Sequence, residues 1–126
     1  MKAVWIILYL MAAVAIGAVS DGLNDEGIKT IGHALGALEI AMLLSGAFVF
    51  KFTRQHFIAF MAAYIAWRIV GFDYAYNLTR GLPLLYLGNS NWWDSFFSKQ
   101  LPSGVVFARM IFLALAIAVP IKHLKN

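Results

Sequence analysis

His33, Glu39, Arg68, Asp73 and Arg109 interrupt stretches of chain that are otherwise apolar. A charge in such surroundings persists only with a partner, a water-filled cavity or a task. A carboxylate there can take up a proton or a cation, and an arginine can hold an anion or lock a carboxylate in place. Insertion scales put one unpaired charge at mid-bilayer at about 2.5–3.5 kcal/mol. Glu39 and Asp73 balance Arg68 and Arg109, so these four can pair off and leave no naked charge.

Other chemistries have weaker support. Cysteine is absent, which excludes disulfides, thiolate metal sites and thiol nucleophiles. His33 and Glu39 are six residues apart, about 120° around a helix, a poor arrangement for two ligands of one metal. The acidic run from Asp21 to Gly27 reads as a turn closing the first apolar run, and it lacks both the glycine and the terminal glutamate of a calcium loop. His56 and His123 fall at one membrane edge and read as interfacial residues, not haem ligands. Ser20, Asp21 and His33 come without an elbow motif or a glycine-rich oxyanion turn. No catalytic residue, metal or cofactor is therefore expected. Asn77-Leu78-Thr79 matches a glycosylation acceptor but lies too near the membrane edge for ready use. Arg68, Arg80 and Arg109, with Asn77, Trp92 and Trp93, could surround a phosphate at headgroup height. Ordinary anchoring at a membrane edge explains the same residues.

The elements that must position these groups follow from composition. Of 126 residues, 62% are hydrophobic and 13% charged, against about 25% charged in soluble domains. The length allows one helical unit over residues 1–126 and no second domain. Four runs, about 3–20, 30–50, 57–76 and 104–121, approach the roughly 20 residues that cross a bilayer. Lys2 and Ala18-Val19-Ser20 around the first run imitate a signal peptide. That run exceeds a signal core of about 7–15 residues, so it is expected to remain as a span. The short link Lys51–His56 predicts an antiparallel hairpin of spans two and three. The fold expected is thus an all-α membrane protein, four transmembrane helices in an antiparallel bundle.

An outer interfacial segment, about 81–101, separates spans three and four. Asn91 suits a helix N-cap, after which Trp92, Trp93, Phe96 and Phe97 share one side. Asp94, Ser95, Ser98 and Lys99 share the other, the division of an amphipathic helix lying among headgroups.

Lys and Arg placement orients the bundle. With both termini cytosolic, the inner side holds Lys2, Lys51, Arg54, Lys122 and Lys125, and the outer side Lys29, Arg80 and Lys99. The net charge of +4 is spread along these edges, with no clustered basic face for nucleic acid. In that frame Glu39 lies about 13 Å below the outer end of span two. His33, Arg68, Asp73 and Arg109 also fall in the outer half, which predicts one polar cluster there. Gly32, Gly36, Leu43 and Gly46 surround Glu39 at helical spacing, so Glu39 should face another helix.

In size and span count the chain is similar to the small multidrug-resistance transporters. That family keeps its working carboxylate in the first span, which here is uncharged, and lacks the long aromatic loop, so no residue role is carried over. Length and basic tail are similar to those of phage holins. The function expected is that of a small accessory or assembly subunit, embedded in the lipid bilayer as part of a larger complex. The alternatives are an ion- or proton-coupled transporter or channel component acting as a homo-oligomer, and an outer-leaflet lipid-binding protein or membrane enzyme.

Overall fold

The computed structural model describes residues 1–86 and 104–124. They form α1 (Lys2–Asp25), α2 (Lys29–Val49), α3 (Arg54–Thr79) and α4 (Gly104–His123). No strand occurs among the described residues. All four helices are long and apolar enough to cross a membrane. The expected interfacial helix, with Trp92 and Trp93, lies outside the described residues.

The helices overrun the apolar runs because their ends are capped. Three of them close alike. At the end of α1 the Ile28 amide donates to the Leu23 carbonyl at 2.9 Å and the Gly27 amide to Asn24 at 3.1 Å, with Gly27 at φ +83°. The same 6→1 and 5→2 bonds close α2 around Lys51 (φ +55°) and α3 around Gly81 (φ +65°). At the start of α3, the Thr53 hydroxyl accepts from the His56 amide and the His56 ring accepts from the Thr53 amide, both at 3.4 Å. That reciprocal cap begins the helix three residues before its apolar run. Pro120 costs α4 one backbone bond but does not end it; Leu124 still donates to the Pro120 carbonyl at 3.0 Å.

The acidic stretch expected as a turn is different. Asp21 to Asp25 are the last turn of α1. Carboxylates at a helix C-terminus oppose its dipole, and here Arg68 and Arg80 offset them.

The first span is the central helix. α1 packs along α2 and α3 and more lightly along α4, while α4 leans chiefly on α3. Although the turn 50–53 joins α2 to α3, their backbones do not pack closely along their length, because α1 lies against both. Ile6, Leu10, Ala13 and Val14 of α1 meet Phe60, Ala63, Tyr64 and Trp67 of α3 in the core, joined by Ala116 of α4. On the side that meets its neighbours α1 buries apolar and small residues, while Val4, Trp5, Leu8 and Met11 are exposed. In α2 only Gly32, Glu39 and Gly46 are buried, one heptad apart on a single line. Phe60 lies against Gly46, where an added Cβ would meet its ring at 2.7 Å.

Candidate functional site

Polar groups gather along α3 in three stations. Tyr64 and Arg68 carry the first. Four residues apart, they share one face of the helix. Glu39 reaches them from α2 and is 9% exposed. The Tyr64 hydroxyl donates to Glu39 Oε1. Arg68 Nη1 donates to that same oxygen and to the Tyr64 hydroxyl, each at 2.9 Å. Arg68 Nη2 lies 3.5 Å from Asp21 Oδ2 of α1, and the guanidinium sits 4.4 Å from the centre of the Phe72 ring. Side-chain exposure rises from 12% at Glu39 to 37% at Arg68 and 51% at Asp21, so the group runs from the interior to the surface.

Gly17 makes room for the carboxylate. A Cβ on that residue of α1 would collide with the Glu39 head group. Nearby, the Ser20 hydroxyl donates to the Gly32 carbonyl at 2.6 Å, closing α1 onto α2.

The second station joins α3 to α4. Arg109 donates to Asp73, and its Nη1 lies 3.4 Å from the Tyr74 hydroxyl, with the guanidinium 5.3 Å from that ring's centre. One cation meets one anion here.

The third station ties the end of α3 to the end of α1. Arg80 Nε donates to Glu26 at 3.0 Å, and Nη1 lies 3.9 Å from Asp25 and 3.0 Å from the Tyr76 hydroxyl. Tyr76 donates to Asp25. The hydrogen bond with Tyr76, followed by that with Glu26, raises the Arg80 pKa above its already high ordinary value, so it stays charged. Tyr64–Arg68 and Tyr76–Arg80 repeat one Tyr-x-x-x-Arg spacing along the helix.

Beside this station Asn77 is 2% exposed. Its Nδ2 donates to the carbonyls of Leu84 (3.1 Å) and Tyr86 (2.9 Å), and its own carbonyl accepts from the Leu82 amide at 2.8 Å. The glycosylation triplet therefore has its acceptor nitrogen engaged in folding the chain after α3.

Of the residues expected in one cluster, Glu39 meets Arg68 and Asp73 meets Arg109, while no hydrogen bond or ion pair among the described residues joins the two pairs. His33 is exposed and belongs to neither. Arg68, Arg80 and Arg109 each face a carboxylate. Asn77 donates to the backbone carbonyls of Leu84 and Tyr86. No three His, Asp or Glu among the described residues converge as metal ligands. Asp21, Asp25 and Glu26, weighed from the sequence only as a calcium loop or with Ser20 and His33, join the stations as partners of arginines, and so does Tyr76, for which the repeated Tyr–Arg spacing was the available signal. Gly17 left no comparable sign, because its role depends on a different helix.

No match was found to any protein-family model, curated protein or solved structure, so only the chain's own geometry bears on what it does.

Proposed function

We propose that this chain is an integral membrane protein of four antiparallel helices that serves as an accessory or assembly subunit of a larger membrane complex. The pairing of its charges inside the chain carries this reading. Glu39 with Arg68, and Asp73 with Arg109, each join two helices. Charge committed to such links holds helix register. Meanwhile α2 and α4 turn large apolar side chains outward, among them Ile40, Leu44 and Phe48, and Val106, Phe107 and Met110. Those flanks suit lipid or the helices of a partner.

Antiparallel packing of α1 and α2 is supported by Ser20 meeting Gly32 while Tyr9 meets Met42. The excess of Lys and Arg at the termini and the 50–53 turn supports cytosolic ends.

Purification from native membranes in mild detergent tests the reading. A stoichiometric protein partner is expected. A chain that elutes alone or as a homodimer, and carries ion flux in liposomes, overturns it. The second reading is a proton- or ion-coupled transporter working as a homo-oligomer, favoured by the two carboxylates that share Arg68. Under it Glu39→Gln folds but abolishes pH-dependent flux in liposomes; unchanged flux removes that reading.

A further inference from the structure

A groove of about 230 Å³ lies between α3 and α4. Val70 and Tyr74 line it from α3, and Val106, Met110 and Leu113 from α4, with Arg109 among them. The α4 residues form one stripe of the helix, about 10 Å long from Val106 to Leu113. Leu85, from the chain after α3, also lines the groove. It is 77% exposed, Met110 64% and Val106 62%, so the trough opens outward, onto lipid where the helices cross a bilayer. Pockets that enclose a whole small ligand run to about 300–1,000 Å³. A smaller, open, apolar trough suits part of a longer flexible chain, such as an acyl tail.

The groove has a polar edge. Val70, Asp73 and Tyr74 share one face of α3, which sets the Asp73–Arg109 pair beside the apolar walls. Arg109 donates from Nη2 to Asp73 Oδ2, and its Nη1 makes only a long contact of 3.4 Å with the Tyr74 hydroxyl. A guanidinium carries five N–H donors, and the others have no acceptor among the described residues. Likewise Asp73 Oδ1 accepts no hydrogen bond among the described residues. The pair is neutral, yet it offers uncommitted donors on a cation and an uncommitted acceptor on an anion. A phosphate beside a primary ammonium complements both. An apolar helix laid over the groove would leave them unanswered.

We propose that this groove binds one ethanolamine phospholipid. An acyl chain lies along Val70, Val106, Met110 and Leu113, the phosphate accepts from Arg109, and the ammonium donates to Asp73. The site rests on α3 and α4 crossing a bilayer, and it stands with or without a protein partner.

Native mass spectrometry tests it on the full-length chain, reconstituted in bilayers of equal parts phosphatidylethanolamine, phosphatidylcholine and phosphatidylglycerol and extracted in mild detergent. One phosphatidylethanolamine per chain should be retained, enriched several-fold over the other two lipids. Met110→Trp should lose it by filling the groove, whereas Phe48→Trp, on the outward face of α2, should keep it. Asp73→Asn removes the anion and should turn the preference toward phosphatidylglycerol. Retention of all three lipids alike, or retention unaffected by Met110→Trp, overturns the proposal. So does a lipid-free chain, whether residues 87–103 or a second copy fill the groove. Failure to reconstitute would sink the bilayer reading along with the proposal; reconstitution without a selected lipid sinks the proposal alone. Met110 is largely exposed, so its variant gives an answer even if Asp73→Asn fails to fold.

Discussion

The carboxylate of Glu39 occupies the space into which a side chain at Gly17 would project. Two residues on different helices are thereby matched in shape as well as in chemistry. Gly17→Ala should lower thermal stability in detergent, by about 1–3 kcal/mol as overpacked interiors do. The same change in a Glu39→Ala background should cost much less, because the colliding group is gone. A double-mutant cycle from thermal unfolding measures this coupling, and additive losses would refute the close approach.

Asp73 and Arg109 form a one-to-one pair bridging α3 and α4. Removing either partner leaves a half-buried charge, so Asp73→Ala and Arg109→Ala should each destabilise by about 2 kcal/mol or more. The exchange Asp73→Arg with Arg109→Asp should recover a substantial part of that loss. Yield and melting temperature of the purified variants are the readouts. An exchange as poor as the single variants would mean that the surroundings, and not the pair, fix these charges.

Lys51 holds a left-handed backbone (φ +55°) at the helix end where α1 and α3 place glycine. That conformation costs a non-glycine residue about 1–2 kcal/mol. Against this, glycine loses about 0.5–1 kcal/mol more chain entropy on folding. Lys51→Gly should therefore stabilise by roughly 0.5–1 kcal/mol. A small rise in melting temperature is the expected result, and a fall would contradict it.

Asn77 uses both amide hydrogens on the carbonyls of Leu84 and Tyr86. Asn77→Ala should orphan those acceptors and cost about 1–3 kcal/mol. Limited proteolysis after α3 should accelerate in this variant. In a host able to attach glycans, wild-type Asn77 should remain unmodified by mass spectrometry.

How much was legible in the chain itself varies by element. Apolar run length marked all four helices, because spanning hydrocarbon demands about 20 residues and few charges. Helix ends were less visible. Asp21 to Asp25 read as a turn since acids at a helix C-terminus are unfavourable alone, and Arg68 of α3 and Arg80 just beyond its end make them tolerable. Thr53 with His56 was a local cap, overlooked beside the stronger hydropathy signal.

The glycine line around Glu39 and the equal number of acids and arginines within the apolar runs could be read from spacing and charge count. Residue types and periodicity are properties of one segment, so the sequence by itself determined the apolar helices and the presence of charges that need partners. Which acid meets which arginine was decided by the tertiary structure. α1 lies against both α2 and α3, bringing Asp21 to Arg68 and Gly17 to Glu39, while α4 brings Arg109 to Asp73. Ion pairing depends on distances of a few ångströms between helices, and no periodicity within one helix encodes where its neighbours will stand.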